Sequence, residues 1–157
     1  MIQDNNGYRN YDINLSEVKA STYYQDADIK AKVDSIETAW NAFIVKGYTA
    51  NAGASVMSIM DAFIDWAEHN TNPATNTAYF TGTSDTGGGY YLSKLNGLDW
   101  MDCGYMAGYM YSDDAAGYYW RAVNDHSSIP MVGADSYVFT SSTRIVWFYT
   151  VNYGNWF

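Results

Sequence analysis

Along residues 55–69 the apolar positions Val56, Ile59, Met60, Phe63, Ile64 and Ala67 recur at intervals of three and four. This spacing predicts an amphipathic helix with one buried face. Ser55 suits its N-cap, Asn70 a plausible end, and Pro73 blocks continuation. Upstream, two periods compete. Ile29, Val33, Ile36, Trp40 and Phe43 follow helical spacing, whereas Phe43, Val45 and Gly47-Tyr48-Thr49 read as a strand leading into a turn. A strand over 42–49 is expected, with 29–40 open between strand and helix.

The C-terminal half reads as β-rich. Turn-forming residues fill 72–76 and 81–89, and Gly87-Gly88-Gly89 marks a loop entering a strand at Tyr90-Tyr91-Leu92. Further β-branched and aromatic runs lie at 118–123, 137–140 and 144–151. Asn96-Gly97 is a turn signal, and Asn124-Asp125 precedes a loop containing Pro130. No internal repeat is evident. Residues 1–28 are polar, with one short alternation in which Tyr11, Ile13 and Leu15 are spaced by Asp12 and Asn14. They read as an N-terminal extension or assembly segment ahead of a domain spanning 29–157. The alternation permits a strand laid against the sheet edge of a neighbouring copy, a strand paired within its own domain, or a mobile segment.

Composition narrows the functional classes. With 48% hydrophobic and 18% aromatic residues the chain is a folded protein, and its 157 residues suit one domain. Only 16% of residues are charged, so Tyr, Ser, Thr, Asn and Gly must form most of the surface. Such a surface suits an extracellular setting, and Tyr suits half-wet contact faces. A net charge of −9, without a run of basic residues, argues against nucleic acid and anionic membranes as partners. No apolar run is long enough to insert in a membrane. Cys103 is the sole cysteine, so neither an intrachain disulfide nor a cysteine metal cluster can form.

Four stretches, in order, give the chain a family resemblance: 53–60 (Gly-Ala-Ser-Val-Met-Ser-Ile-Met), 91–97 (Tyr-Leu-Ser-Lys-Leu-Asn-Gly), Gly117-Tyr118-Tyr119-Trp120 leading to Val123-Asn124, and Ile145-Val146-Trp147-Phe148-Tyr149. Together they resemble the bacterial surface-domain family related to the C-terminal β domain of transcobalamin and intrinsic factor. The resemblance covers about 29–151. It departs at Asp125, where the family has Gly, and at Ser141-Ser142-Thr143, where it has an Asp-Gly-Asp turn. It implies an α+β fold of β-grasp-like kind, with an antiparallel or mixed sheet packed on one main helix. The animal relatives contact cobalamin; the bacterial members often sit in surface proteins.

Candidate chemistry is sparse. His69 and His126 lie in no metal-ligand spacing, and read as a helix-end and a loop residue. Asp99, Asp102, Asp113 and Asp114 offer carboxylates for acid/base or hard-cation work, but fit no calcium loop. No nucleophile elbow, phosphate loop or dinucleotide fingerprint occurs. The aromatics Tyr90, Tyr91, Tyr105, Tyr109, Tyr111, Tyr118, Tyr119 and Trp120 could pack a core, or form a face for a planar or sugar ligand or for a subunit. On a strand, Tyr118 and Trp120 share one face and Tyr119 and Arg121 the other.

The expectation is therefore a non-catalytic extracellular or cell-surface module for adhesion or protein assembly, a filament subunit being one form of it, with other copies of itself or surface proteins as partners. Tyr11, Ile13, Leu15, Tyr118 and Trp120 are the candidate contact residues, with no metal and no cofactor. The alternative is small-ligand binding, with a corrinoid such as cobalamin as the candidate that the resemblance implies.

Overall fold

The computed structural model describes residues 3–4, 7–114, 129–130 and 132–156. The chain opens with an antiparallel pair, β1 (Gln3–Asp4) and β2 (Gly7–Tyr8). Tyr8 and Ala50 then exchange backbone hydrogen bonds of 2.7 and 2.8 Å. Gly7 permits this approach, because its φ is +140° and a Cβ there would fall 2.5 Å from the Ala50 carbonyl oxygen.

Next come β3 (Tyr11–Asn14), the short α1 (Ser16–Ala20) and the long α2 (Ala27–Val45). Asp26 caps α2, its Oδ1 accepting from the Asp28 and Ile29 amides at 2.9 and 3.0 Å. Val33, Ile36, Ala39, Trp40 and Phe43 form the buried stripe of α2. Helical spacing thus prevails over 29–45, and the strand expected at 42–49 is not formed. Phe43 turns inward beside Trp40, with ring centroids 5.7 Å apart, while Val45 lies outside, 84% exposed. A strand would have put these two side chains on one face.

The helix read from the 55–69 pattern is α3 (Met57–His69). Asn70 ends it as expected, but Ser55 does not cap it: Ser55 makes an isolated bridge with Val138. The first turn is held instead from the far end of the chain, with the Val56 and Met57 amides donating to the Tyr137 and Ala134 carbonyls at 2.8 and 3.1 Å. Two short hairpins follow. β4 (Thr71–Asn72) pairs with β5 (Thr77–Ala78), and β6 (Lys94–Leu95) with β7 (Leu98–Asp99). The turn between β6 and β7 is Asn96-Gly97, both at positive φ (47° and 84°), as a two-residue hairpin turn requires.

The central sheet has the order β3-β9-β8, where β8 is Gly108–Asp113 and β9 is Ile145–Thr150. β9 runs antiparallel to β8 and parallel to β3, and all six of its residues are buried. The protein is an α+β fold with a mixed sheet, and among the described residues it carries two substantial helices, α2 and α3, where one main helix was expected. Phe63 of α3 lies 4.9 Å from the Trp40 ring, 5.4 Å from Phe43 and 5.1 Å from Phe80, so aromatic contacts tie both helices together.

Residues 1–28 are not a separable extension. Tyr11 to Asn14 stand opposite Ile145 to Phe148 within the same chain, and Tyr11, Leu15 and Val18 are buried. The alternation of Tyr11 and Leu15 does mark a buried face, but the edge it completes is the chain's own. The Trp40 indole donates to Asp12 Oδ1 at 3.1 Å and the Tyr11 ring meets Trp40 edge-on, locking β3 to α2.

Burial of the Asp12 and Glu17 carboxyls raises both above their ordinary values of 3.8 and 4.5. Glu17 Oε2 also accepts from the Val151 amide at 3.2 Å. A raised acid binds its proton more tightly folded than unfolded, so its contribution is full below the ordinary value and is lost as pH rises through the raised one. Asp34 and Asp85 are shifted down but lie at the surface, where solvent screens their effect. The urea midpoint is therefore expected to fall as pH rises above 4.5, the ordinary value for Glu17. In Glu17→Gln the fall should be shallower; an unchanged slope would remove Glu17 from the account.

Candidate aromatic cleft

Three groups of residues converge beside β8: the loop 90–92, the sheet residues Tyr109, Met110, Tyr111 and Trp147, and residues 129–130 and 132–134. Between them lies a cleft of about 220 Å³, lined by five aromatic rings from Tyr90, Tyr91, Tyr109, Tyr111 and Trp147. Local structure explains the loop wall. Gly87, Gly88 and Gly89 all take positive φ and form a short 3-10 turn, so Tyr90 sits in the turn and Tyr91 in irregular backbone, and the expected strand is not formed there. The Ala134 amide donates to the Tyr90 carbonyl at 2.9 Å, pinning this loop to the opposite wall. Tyr90 and Tyr91 are 63% and 59% exposed.

The floor is rigid. Tyr111 and Trp147 stand in register across β8 and β9, with ring centroids 5.4 Å apart. The Tyr111 hydroxyl donates to the Val132 carbonyl and the Tyr109 hydroxyl to the Leu98 carbonyl, each at 2.7 Å. Burial pushes Tyr111 up to about 12 and Tyr109 well above its ordinary value, so both remain neutral donors at physiological pH. Trp147 is only 1% exposed, yet its Nε1–H has no acceptor among the described residues. Buried donors are normally paired, so this one stands out. No carboxylate, ammonium or guanidinium group lines the cleft among the described residues.

Of the aromatics singled out in the sequence, Tyr90, Tyr91, Tyr109 and Tyr111 meet at this cleft. Tyr105 stands apart on the surface, 81% exposed. Tyr118, Tyr119, Trp120 and His126 lie outside the described residues. Tyr11 and Leu15 are core and Ile13 is half-buried against it, so these three do not form an exposed contact face. Trp147 was missed as a cleft residue. Its only sequence signal was membership of the 145–149 run, which does not reveal that it faces Tyr111.

The carboxylates serve local structure. Asp102 Oδ2 accepts from the Asp99 amide at 2.8 Å, and Asp113 Oδ1 from the Arg144 amide at 2.8 Å, while Asp113 Oδ2 accepts from the Tyr137 hydroxyl. Asp114 is buried at the end of β8. His69 sits exposed at the end of α3, its Nδ1 2.7 Å from the Asp65 carbonyl oxygen. Cys103 is buried, which pushes its thiol up and away from the reactive thiolate. Among the described residues, no three His, Cys, Asp or Glu side chains are grouped to hold a metal ion, and no helix is long and apolar enough to cross a membrane. Compared with known proteins, the chain matches no family model, no curated protein and no solved structure.

Proposed function

We propose that this chain is a non-catalytic recognition module that acts at an extracellular or cell-surface location, in adhesion or in assembly with copies of itself, and that the aromatic cleft is its contact surface. The observation that carries the reading is the pair Tyr90 and Tyr91, both more than half exposed, standing over a rigid aromatic floor. Exposed rings at the mouth of an uncharged cleft are the residues that anchor contacts, because they bury much area at little entropic cost. The weakly charged, Tyr-rich surface fits the same role.

Sedimentation velocity over a concentration series tests it. Wild-type protein should associate, and Tyr90→Ser/Tyr91→Ser should remain monomeric with an unchanged melting temperature. Because each copy carries a net charge of −9, association should strengthen as salt screens the repulsion. A wild-type protein that stays monomeric at every concentration and salt level, and that adheres to no surface, contradicts the reading.

Small-ligand binding rests on the same cleft. Its volume of about 220 Å³ suits one ring, being below the roughly 300–1,000 Å³ of pockets that enclose drug-sized ligands. A corrinoid is larger still and would have to lie across the mouth, so the cleft favours a smaller occupant.

A further inference from the structure

A second recess lies where the end of α2 meets the last turns of α3. It has a volume of about 370 Å³ and shares no lining residue with the aromatic cleft. Its apolar side is a fixed row of rings. Tyr48 stacks on Phe43 with centroids 5.5 Å apart, Phe43 meets Trp66 at 5.9 Å, and Tyr79 stacks behind Trp66 at 5.0 Å. Its polar side comes from α3, where Asp65 and His69, like Trp66 and Asn70, are four residues apart and share a face. Asn70 Nδ2 donates to the Trp66 carbonyl at 2.8 Å, which leaves Oδ1 to accept. His69 Nδ1 turns back to Asp65, which leaves Nε2 available.

Lys46 adds a charge to the rim. Lys19, Lys30, Lys32 and Lys94 each hold a carboxylate, at distances from 2.6 to 3.6 Å. Lys46 is exposed and has no such partner among the described residues. Asp65 Oδ1, in the same recess, is already 3.4 Å from His69 Nδ1. An inorganic anion would meet Lys46 and leave the rings bare. An aromatic acid would cover the rings but offer nothing to Asn70 and His69, and each polar group left unpaired is costly. A pyranose has a face of C–H groups, drawn to the negative face of an aromatic ring, and hydroxyls that both donate and accept.

We infer that this recess binds a sugar acid, a hexuronic acid unit of a glycan. Its ring lies on Tyr48 and Trp66, its carboxylate meets Lys46, and its hydroxyls pair with Asn70 and His69. The volume falls within the roughly 300–1,000 Å³ of small-molecule sites. This goes beyond the role proposed for the aromatic cleft and does not depend on it.

Titration with the methyl glycosides of glucuronic, galacturonic and mannuronic acid, each beside its neutral hexose counterpart, tests the assignment. At least one uronide should bind saturably, shifting backbone amide resonances of residues 46–48 and 65–70. It should bind about 2- to 5-fold more tightly than its neutral counterpart, the worth of one exposed ion pair. Lys46→Gln should abolish that preference and leave the neutral glycoside's affinity unchanged. Tyr48→Ser, at an exposed position, should weaken both forms alike without moving the melting temperature. Binding by none of the six sugars, shifts confined to other residues, or a preference that survives in Lys46→Gln overturns the inference. Inorganic phosphate that shifts the same amides as strongly also overturns it, because Lys46 alone would then account for binding. Tyr90→Ser/Tyr91→Ser should bind the uronide like wild type, so failure here and failure of the cleft reading are told apart.

Discussion

Deleting residues 1–15 is expected to unfold the protein. The deletion removes β3 from its parallel pairing with β9, together with the buried side chains of Tyr8, Tyr11 and Leu15. A fully buried apolar side chain contributes about 1.5–3 kcal/mol, so three of them approach the roughly 5–15 kcal/mol that holds a domain together. The loss also exposes the hydrogen-bonding edge of β9, all of whose residues are buried in the intact chain. Circular dichroism of the truncated chain should show no cooperative melting at 25 °C. A separable assembly segment would behave in the opposite way, leaving the spectrum and melting curve nearly unchanged.

Phe63→Ala is the point substitution with the largest expected cost, roughly 3–5 kcal/mol. Phe63 is fully buried, and its ring is held among Trp40, Phe43 and Phe80. Trp40 and Phe43 are held on α2 and against each other, and the Phe80 amide is tied to the Ala67 carbonyl at 3.0 Å, so the walls do not readily collapse into the space left behind. Val45→Ala serves as the contrast. At 84% exposed, Val45 should change stability by less than about 0.5 kcal/mol, as surface substitutions do. Urea denaturation of the two variants checks both values. A large effect at Val45 would mean that the end of α2 packs as a strand.

That comparison bears on what the chain made legible. The α3 pattern was readable because its apolar positions keep one period throughout, without a β-branched run to compete. At the end of α2 the local signals conflicted: Phe43, Val45 and Gly47 look like a strand entering a turn, yet packing of Phe43 on Trp40 and Phe63 carries the helix to Val45. Strand propensity reflects packing context more than backbone preference, and here the context was a helix partner distant in sequence. Asn96-Gly97 was legible because the turn needs two residues at positive φ.

The N-terminal strand shows a different limit. The alternation of Tyr11, Ile13 and Leu15 identified a strand face, but nothing local says whether the edge it meets belongs to the same chain. The partner, β9, begins more than 130 residues later. The cleft was half legible for the same reason. Its tyrosines stand out by composition, whereas the convergence of 90–92, β8, β9, 129–130 and 132–134 is a long-range property. Trp147 could not be assigned to the cleft until its register with Tyr111 was known.

The account turns on whether the aromatic cleft is a surface of recognition, and the indole N–H resonance of Trp147 reports on it directly. Trp147→Phe identifies that resonance by its disappearance. In wild-type protein followed from dilute to concentrated solution, the account predicts a progressive shift of that resonance as the cleft is covered, absent in Tyr90→Ser/Tyr91→Ser. A resonance that stays fixed while the protein associates would place the contact elsewhere and contradict the account.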